Sequence, residues 1–261
     1  MRERPPVHGV TASFDEAASE VGIGIVVPYD FVLDHELWRF APPQVALHIS
    51  RTSFRELDVT VEMAEEVSET DEVTDAMRRL THAAPTATAY ACTIASYVGG
   101  LAGEAELRAD MRSVLSTATV TTSRAFLDAL EAVGAQRVGL ATPYDAALTE
   151  GLEDFLAAAG IEVVTVASLG LQKDIFLVDL DSVIELAIAA DDPAADAIIV
   201  SCTNLRTFDA IAALEARLDK PVLTANQVTM WAALRAAGVR VHHLDHRLFK
   251  MTTASNGGGG L

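Results

Sequence analysis

Lysine and cysteine are scarce in this chain of 261 residues. Lysine occurs only at Lys173, Lys220 and Lys250, and cysteine only at Cys92 and Cys202. Basic residues number 19 against 37 acidic ones, and the formal net charge is -18. That balance excludes nucleic acid and an anionic membrane surface as partners. No apolar run approaches the roughly 18 residues that span a bilayer. The opening Met1-Arg-Glu-Arg-Pro-Pro lacks the apolar stretch of a signal peptide, so the cytoplasm is the expected compartment. Two cysteines there read as reduced thiols and are too few for a structural zinc site. The chain has no Gly-x-Gly-x-x-Gly fingerprint, no nucleotide-phosphate loop and no Gly-x-Ser-x-Gly elbow. His242-His-Leu-Asp-His246 is the one dense histidine cluster, and nothing elsewhere completes a ligand set. No metal and no cofactor are therefore expected.

What is present is alternation. Half the residues are hydrophobic, arranged as short apolar runs between longer amphipathic segments. Strands are read at 21–27, 46–51, 86–92, 137–142, 161–167, 197–201 and 221–224. Helices are read at 59–81, 101–116, 123–134, 150–159, 177–190, 207–218 and 230–237. Such alternation indicates an α/β fold of parallel sheets with helices on both faces.

The alternation is also a duplication. Val21-Gly-Ile-Gly-Ile-Val-Val-Pro-Tyr-Asp30 matches Val138-Gly-Leu-Ala-Thr-Pro-Tyr-Asp145. Thr86-Ala-Thr-Ala-Tyr-Ala-Cys92 matches Ala197-Ile-Ile-Val-Ser-Cys202, and each cysteine is followed by threonine, Thr93 or Thr203. Val120-Thr-Thr-Ser123 matches Leu223-Thr-Ala-Asn226, each leading into a helix closed by Gly134 or Gly238. The chain is accordingly expected to form two pseudo-symmetric Rossmann-like lobes with an active-site cleft between them. The first lobe takes residues 18–116 and is completed by 221–254. The second takes 117–220, and 1–17 and 255–261 are loose tails.

Ligands of parallel α/β sheets bind at the carboxyl ends of the strands. Both cysteines and both Pro-Tyr-Asp turns fall at that edge. A thiol at a strand end, with a helix starting after it, gains unpaired N–H groups that favour the thiolate. At least one thiol pKa below the free value of about 8.5 is the expectation. Thr93, Thr203 and Asn204 add side-chain donors. Tyr144 is placed to donate to a carboxylate or an enolate. His35 lies near the first turn, but its neighbours Asp34 and Glu36 read as a solvated face.

These residues resemble the Asp/Glu racemase superfamily, and within it the branch of maleate cis-trans isomerases and arylmalonate decarboxylases. The resemblance runs from Ile23 to about His246. Its markers are Ile25-Val-Val-Pro28, His48-Ile-Ser-Arg51, Ala91-Cys-Thr with Val98-Gly-Gly100, Val120-Thr-Thr-Ser123, Ala141-Thr-Pro-Tyr144, Ser201-Cys-Thr-Asn-Leu-Arg206 and Pro221-Val-Leu-Thr-Ala-Asn226. The Ser201–Arg206 string is the most specific. The opening Val-Pro-Tyr-Asp-Phe with Glu36-Leu-Trp-Arg39 is also similar to racemase-like proteins of ectoine-utilisation gene sets.

The resemblance implies a cofactor-independent isomerase with two catalytic cysteines acting on a small carboxylic or amino acid. Cys92 takes the place of the nucleophile, Cys202 that of the acid/base partner, and Tyr144 that of the isomerase tyrosine. Decarboxylases of the branch keep only the second-lobe cysteine. A decarboxylase of the arylmalonate type and an inactive binding protein are the alternatives, and a homodimer is the expected assembly. Isomerases carry Ser-Ser-Asn-Thr after the first proline; this chain has Tyr29-Asp-Phe-Val there. Gly170-Leu is followed by Gln172-Lys-Asp174 instead of an asparagine. If Asp30 lines the cleft, the substrate should carry an amino group against it, with Lys173 taking the carboxylate.

Overall fold

The structure, a computed structural model, describes residues 21–254, with side chains to Lys250. The two expected tails, 1–17 and 255–261, lie outside the described residues. The first sheet has the order β2-β1-β3-β4, with β1 Val21–Val27, β2 Val45–Arg51, β3 Ala87–Tyr90 and β4 Ala118–Thr121. The second repeats it as β6-β5-β7-β8, with β5 Arg137–Tyr144, β6 Glu162–Leu171, β7 Ala197–Val200 and β8 Val222–Thr224. Every strand pair is parallel. The central strands β1, β3, β5 and β7 are almost wholly buried, which is why they read as unbroken apolar runs.

The lobe boundaries expected at 117 and 221 each fall one strand early. β4 pairs with β3, so residues 118–121 belong to the first sheet. β8 pairs with β7, so residues 222–224 belong to the second. Matched strands occupy matched edges, and their wording alone does not say which sheet they join. The helix after β8, α10 (Ala225–Ala236), does return: it packs on β3, β4 and the helix α6 (Thr122–Val133).

The long helix read at 59–81 is two helices, α2 Val61–Ser68 and α3 Thr70–Arg78, broken at Glu69 where ψ is 124°. Helix α1 (Asp34–Phe40) was not anticipated. The repeat wording does specify matching caps. Thr121 accepts from the Arg124 N–H at the start of α6, and Thr224 forms a capping box with Gln227 at the start of α10. Gly134 closes α6 in the left-handed conformation, at a φ of 71°. Among the described residues no helix is long and apolar enough to cross a membrane.

Candidate functional site

The duplication puts each cysteine two residues beyond the third strand of its lobe, Cys92 after β3 and Cys202 after β7. Both are free thiols and both are buried. They line one cavity of about 210 Å³ at the carboxyl ends of the two sheets. That is smaller than the roughly 300–1,000 Å³ of drug-sized sites, so the cavity suits a small metabolite. Asp30, Thr93, Tyr144, Lys173, Thr203 and Asn204 line it as well, so all eight residues singled out in the sequence meet there. His35 is exposed and is not among the lining residues.

The two thiol loops differ in shape. Cys92 has ordinary extended backbone, φ -145° and ψ 116°, and caps α4, a helix of only five residues (Thr93–Tyr97). Cys202 has φ 86°, a left-handed conformation unusual for a residue with a side chain. No helix follows it until α9 (Phe208–Leu218).

Both thiols are pushed above the ordinary cysteine value, contrary to the expectation of a lowered pKa. Burial is the main cause at each; the Asp30 charge adds to it, and Cys202 is pushed up to about 12. Burial outweighs what the following helices offer: α4 behind Cys92 is very short, and α9 begins only at Phe208, close to the position read from the sequence. Groups that favour the thiolate are nevertheless in place. The Ala95 N–H reaches Cys92; the neighbouring Tyr90 hydroxyl gives its one proton to the Val67 carbonyl at 2.7 Å. The Asn204 N–H and the Tyr144 hydroxyl reach Cys202, while the Leu205 N–H donates to the Cys202 carbonyl at 3.3 Å. Tyr90 was missed in the sequence, although it stands two residues before Cys92 and so on the same strand face.

Asp30 is the unusual charge of the site. Burial raises its pKa, opposed by its own backbone N–H and by Asn204, and no cation is among the groups acting on it. Asn204 proves to be a tie rather than a free donor. Its Nδ2 donates to the Asp30 carbonyl at 3.2 Å and carboxylate at 3.4 Å, and its Oδ1 accepts from the Val32 N–H at 3.1 Å. Thr93 is free: its buried Oγ1 has no hydrogen-bond partner among the described residues. Lys173 is exposed, and among the described residues it is the only cationic one that lines the cavity.

Both lobes give the cavity apolar lining, Leu57, Val59 and Met63 from the first and Ile175 and Phe176 from the second. The Val59 N–H donates to the Gln172 carbonyl, closing one side. Among the described residues no cluster of three or more His, Cys, Asp or Glu side chains could hold a metal. His246 is buried among Phe40, Phe208 and Phe249, and burial pushes it down to about 4.

Two like α/β lobes, each bringing one thiol to a shared cavity, define the architecture of a two-lobed α/β enzyme. Comparison with known proteins gives the family. The family model described as arylmalonate decarboxylase matches residues 45–249, and the chain belongs to that family. Arylmalonate decarboxylase of Bordetella bronchiseptica is 34% identical over 172 residues, 64% of this chain and 72% of that protein. Maleate isomerase of Geobacillus stearothermophilus is 26% identical over 187 residues, 68% of this chain and 74% of that one. A liganded mutant form of arylmalonate decarboxylase superposes with a TM-score of 0.80 at 31% identity, covering 87% of this chain and 98% of that one. The maleate isomerase Iso from Pseudomonas putida S16 gives 0.77 at 26% identity, covering 84% and 94%.

Proposed function

We propose that this protein is a cofactor-independent isomerase that inverts, through two thiols, the carbon next to the carboxylate of a small amino acid or N-acylated diamino acid. The observation that carries the reading is the shared cavity: Cys92 and Cys202 enter it from opposite lobes, and Asp30, with no cation among the groups acting on it, lines it as well. A substrate ammonium pairs with Asp30, and Lys173 at the mouth takes the carboxylate. Thr93 Oγ1 is left to donate to the same carboxylate.

One cysteine, as thiolate, takes the α-proton and becomes a thiol. The electron pair left on carbon spreads into the carboxylate as an enediolate. The opposite thiol then gives its proton to the other face of that carbon and becomes the thiolate. Atoms and charge balance, and the two cysteines have exchanged states. In the empty site both thiols are neutral near pH 7, because burial and Asp30 oppose ionisation. A bound ammonium cancels the Asp30 charge, so the substrate itself favours the thiolate that attacks it.

A mutant of the Pseudomonas putida S16 isomerase has been solved with maleate. Maleate has no cation to offer Asp30. Two like charges about 4 Å apart cost roughly 4 kcal/mol at an effective dielectric near 20. Asp30 therefore favours the amino acid over the dicarboxylate. The test is turnover of a panel of single-enantiomer amino acids and N-acylated diamino acids, followed by chiral chromatography, beside maleate and an arylmalonate. Racemisation of one amino acid, lost in Asp30→Ala, is the expected result. Efficient conversion of maleate to fumarate, or decarboxylation of the malonate, with no amino acid turned over, would overturn the proposal.

A further inference from the structure

Glu36, on α1 of the first lobe, reads in the sequence as part of a solvated face with Asp34 and His35, yet it is only 3% exposed. Its carboxylate accepts four hydrogen bonds from the second half of the chain. The Thr207 N–H donates at 3.0 Å, the Thr207 hydroxyl at 2.8 Å and Asn226 Nδ2 at 3.1 Å. The Thr207 N–H also reaches the other carboxylate oxygen, at 3.3 Å, which makes the fourth. Asn226 Nδ2 also donates to the Thr203 carbonyl at 2.9 Å. Thr203 is the residue after Cys202.

The first lobe holds its own cysteine loop with neutral groups. Ser123, the duplicate of Asn226, donates to the Thr93 carbonyl at 3.2 Å. Ser96 lies 2.7 Å from the Cys92 carbonyl and 2.6 Å from Ser123. That loop needs no more, since Cys92 has ordinary backbone. Cys202, at φ 86°, does not. A left-handed residue with a side chain is costly and persists only where its surroundings over-determine it. Hydrogen bonds to a carboxylate are stronger than neutral ones. Glu36 supplies them here, from the opposite lobe.

We infer that Glu36 is a positioning residue for Cys202, acting across the lobes through Asn226 and Thr207. It holds the Cys202–Thr207 loop in its strained shape, in which the Leu205 N–H closes back on the Cys202 carbonyl at 3.3 Å and the sulfur faces the cavity. Glu36 touches no reacting atom. The inference rests on Cys202 being a reactive thiol, but its test needs neither substrate nor turnover.

The test is alkylation of the folded protein with iodoacetamide, followed at each cysteine by peptide mass spectrometry. The thiolate is the species that reacts. Glu36→Ala and Asn226→Ala should each lower the ratio of Cys202 to Cys92 labelling rates by about fivefold or more, the loss of roughly one hydrogen bond's worth of support. Glu36→Gln keeps a carboxamide oxygen for the Thr207 donors and should restore most of the ratio. It also serves if Glu36→Ala does not fold, as then does Asn226→Ala. An unchanged ratio, an equal change at both cysteines, or a rise at Cys202 would overturn the inference. Failure of the two-thiol mechanism would show instead in the turnover of the cysteine variants, with the labelling pattern intact.

Discussion

In the first lobe the Pro-Tyr-Asp turn sends Asp30 to the cavity wall and leaves Tyr29 half-buried outside, packed on Phe54 and donating to the Leu57 carbonyl. In the second lobe the same three residues do the reverse. Tyr144 lines the cavity beside Cys202, while Asp145 caps α7 (Ala146–Ala158) and accepts from Gln172. Duplication thus supplies the symmetric part of the site, two thiols at matching strand ends. Divergence supplies the asymmetric part, an acid on one side and a phenol on the other. In the proposed reaction two thiols would treat either face of a carbon alike, and one acid would fix which end of the substrate lies where.

The sheets themselves differ most at one matched glycine pair, and that comparison carries the largest expected effect. A Cβ added at Gly139 on β5 would lie 1.9 Å from the Ala190 carbonyl oxygen, which backbone cannot yield. A Cβ at Gly24 on β1 would meet Leu80 and Pro85 side chains at 3.1 Å, and those can shift. Gly139→Ala should cost more than about 3 kcal/mol or prevent folding, and Gly24→Ala should stay within the usual range of about 1–3 kcal/mol. Urea unfolding of the two variants reads the difference; equal costs would mean the sheets are supported alike.

The thiols come next. Cys92→Ala and Cys202→Ala should each reduce kcat by about 100-fold or more, since each removes one proton-transfer group. If Cys92→Ala keeps its rate on a malonate while Cys202→Ala is dead, the lobes are not equivalent in chemistry and the one-thiol decarboxylase reading wins.

A smaller effect separates the two loops by backbone alone. At position 202, with φ 86°, glycine should be more stable than alanine by about 1 kcal/mol. At position 92, with φ -145°, the order should reverse by about 0.5–1 kcal/mol. Thermal melts of the four variants decide it; the same order at both sites would remove the claim of strain at Cys202.

Asp30 gives the smallest effect. Its folded pKa is raised by burial, so the native state holds the proton more tightly than the unfolded chain. Stability from this group is full at low pH and is lost as pH rises through the raised pKa. Asp30→Asn should therefore raise Tm by a few degrees at pH 7, a gain that vanishes below the ordinary carboxylate range. A gain that grows toward low pH would mean Asp30 is stabilised as an anion.

Much of this was legible in the sequence, and the failures have physical reasons. The strands, the repeat and the convergence of both cysteines follow from apolar runs and a shared local wording. The membership of β4 and β8 did not, because two copies of one element carry the same wording and only pairing distinguishes them. Glu36 was misread because its burial comes from Thr207 and Asn226, 171 and 190 residues away, while its sequence neighbours are polar. Asn204 was expected to bind substrate, yet its amide is engaged by Asp30 and Val32 of the other lobe, which no local pattern encodes. The thiol pKa was misjudged because the depth at which each cysteine is buried, which pushes both thiols up, is set by packing between the lobes and not by the local turn.

The central claim is that one carbon is served by two thiols from opposite faces. The direct test is the early phase of the reaction in heavy water, starting from one enantiomer of an amino acid that the enzyme turns over. Mass spectrometry of the separated enantiomers then locates the deuterium. Two thiols on opposite faces predict deuterium at the α-carbon of the product enantiomer, with the remaining substrate still carrying hydrogen. Label appearing equally in both enantiomers would mean a single base exchanging with solvent, and product free of label would mean a single base returning the same proton; either result contradicts the account.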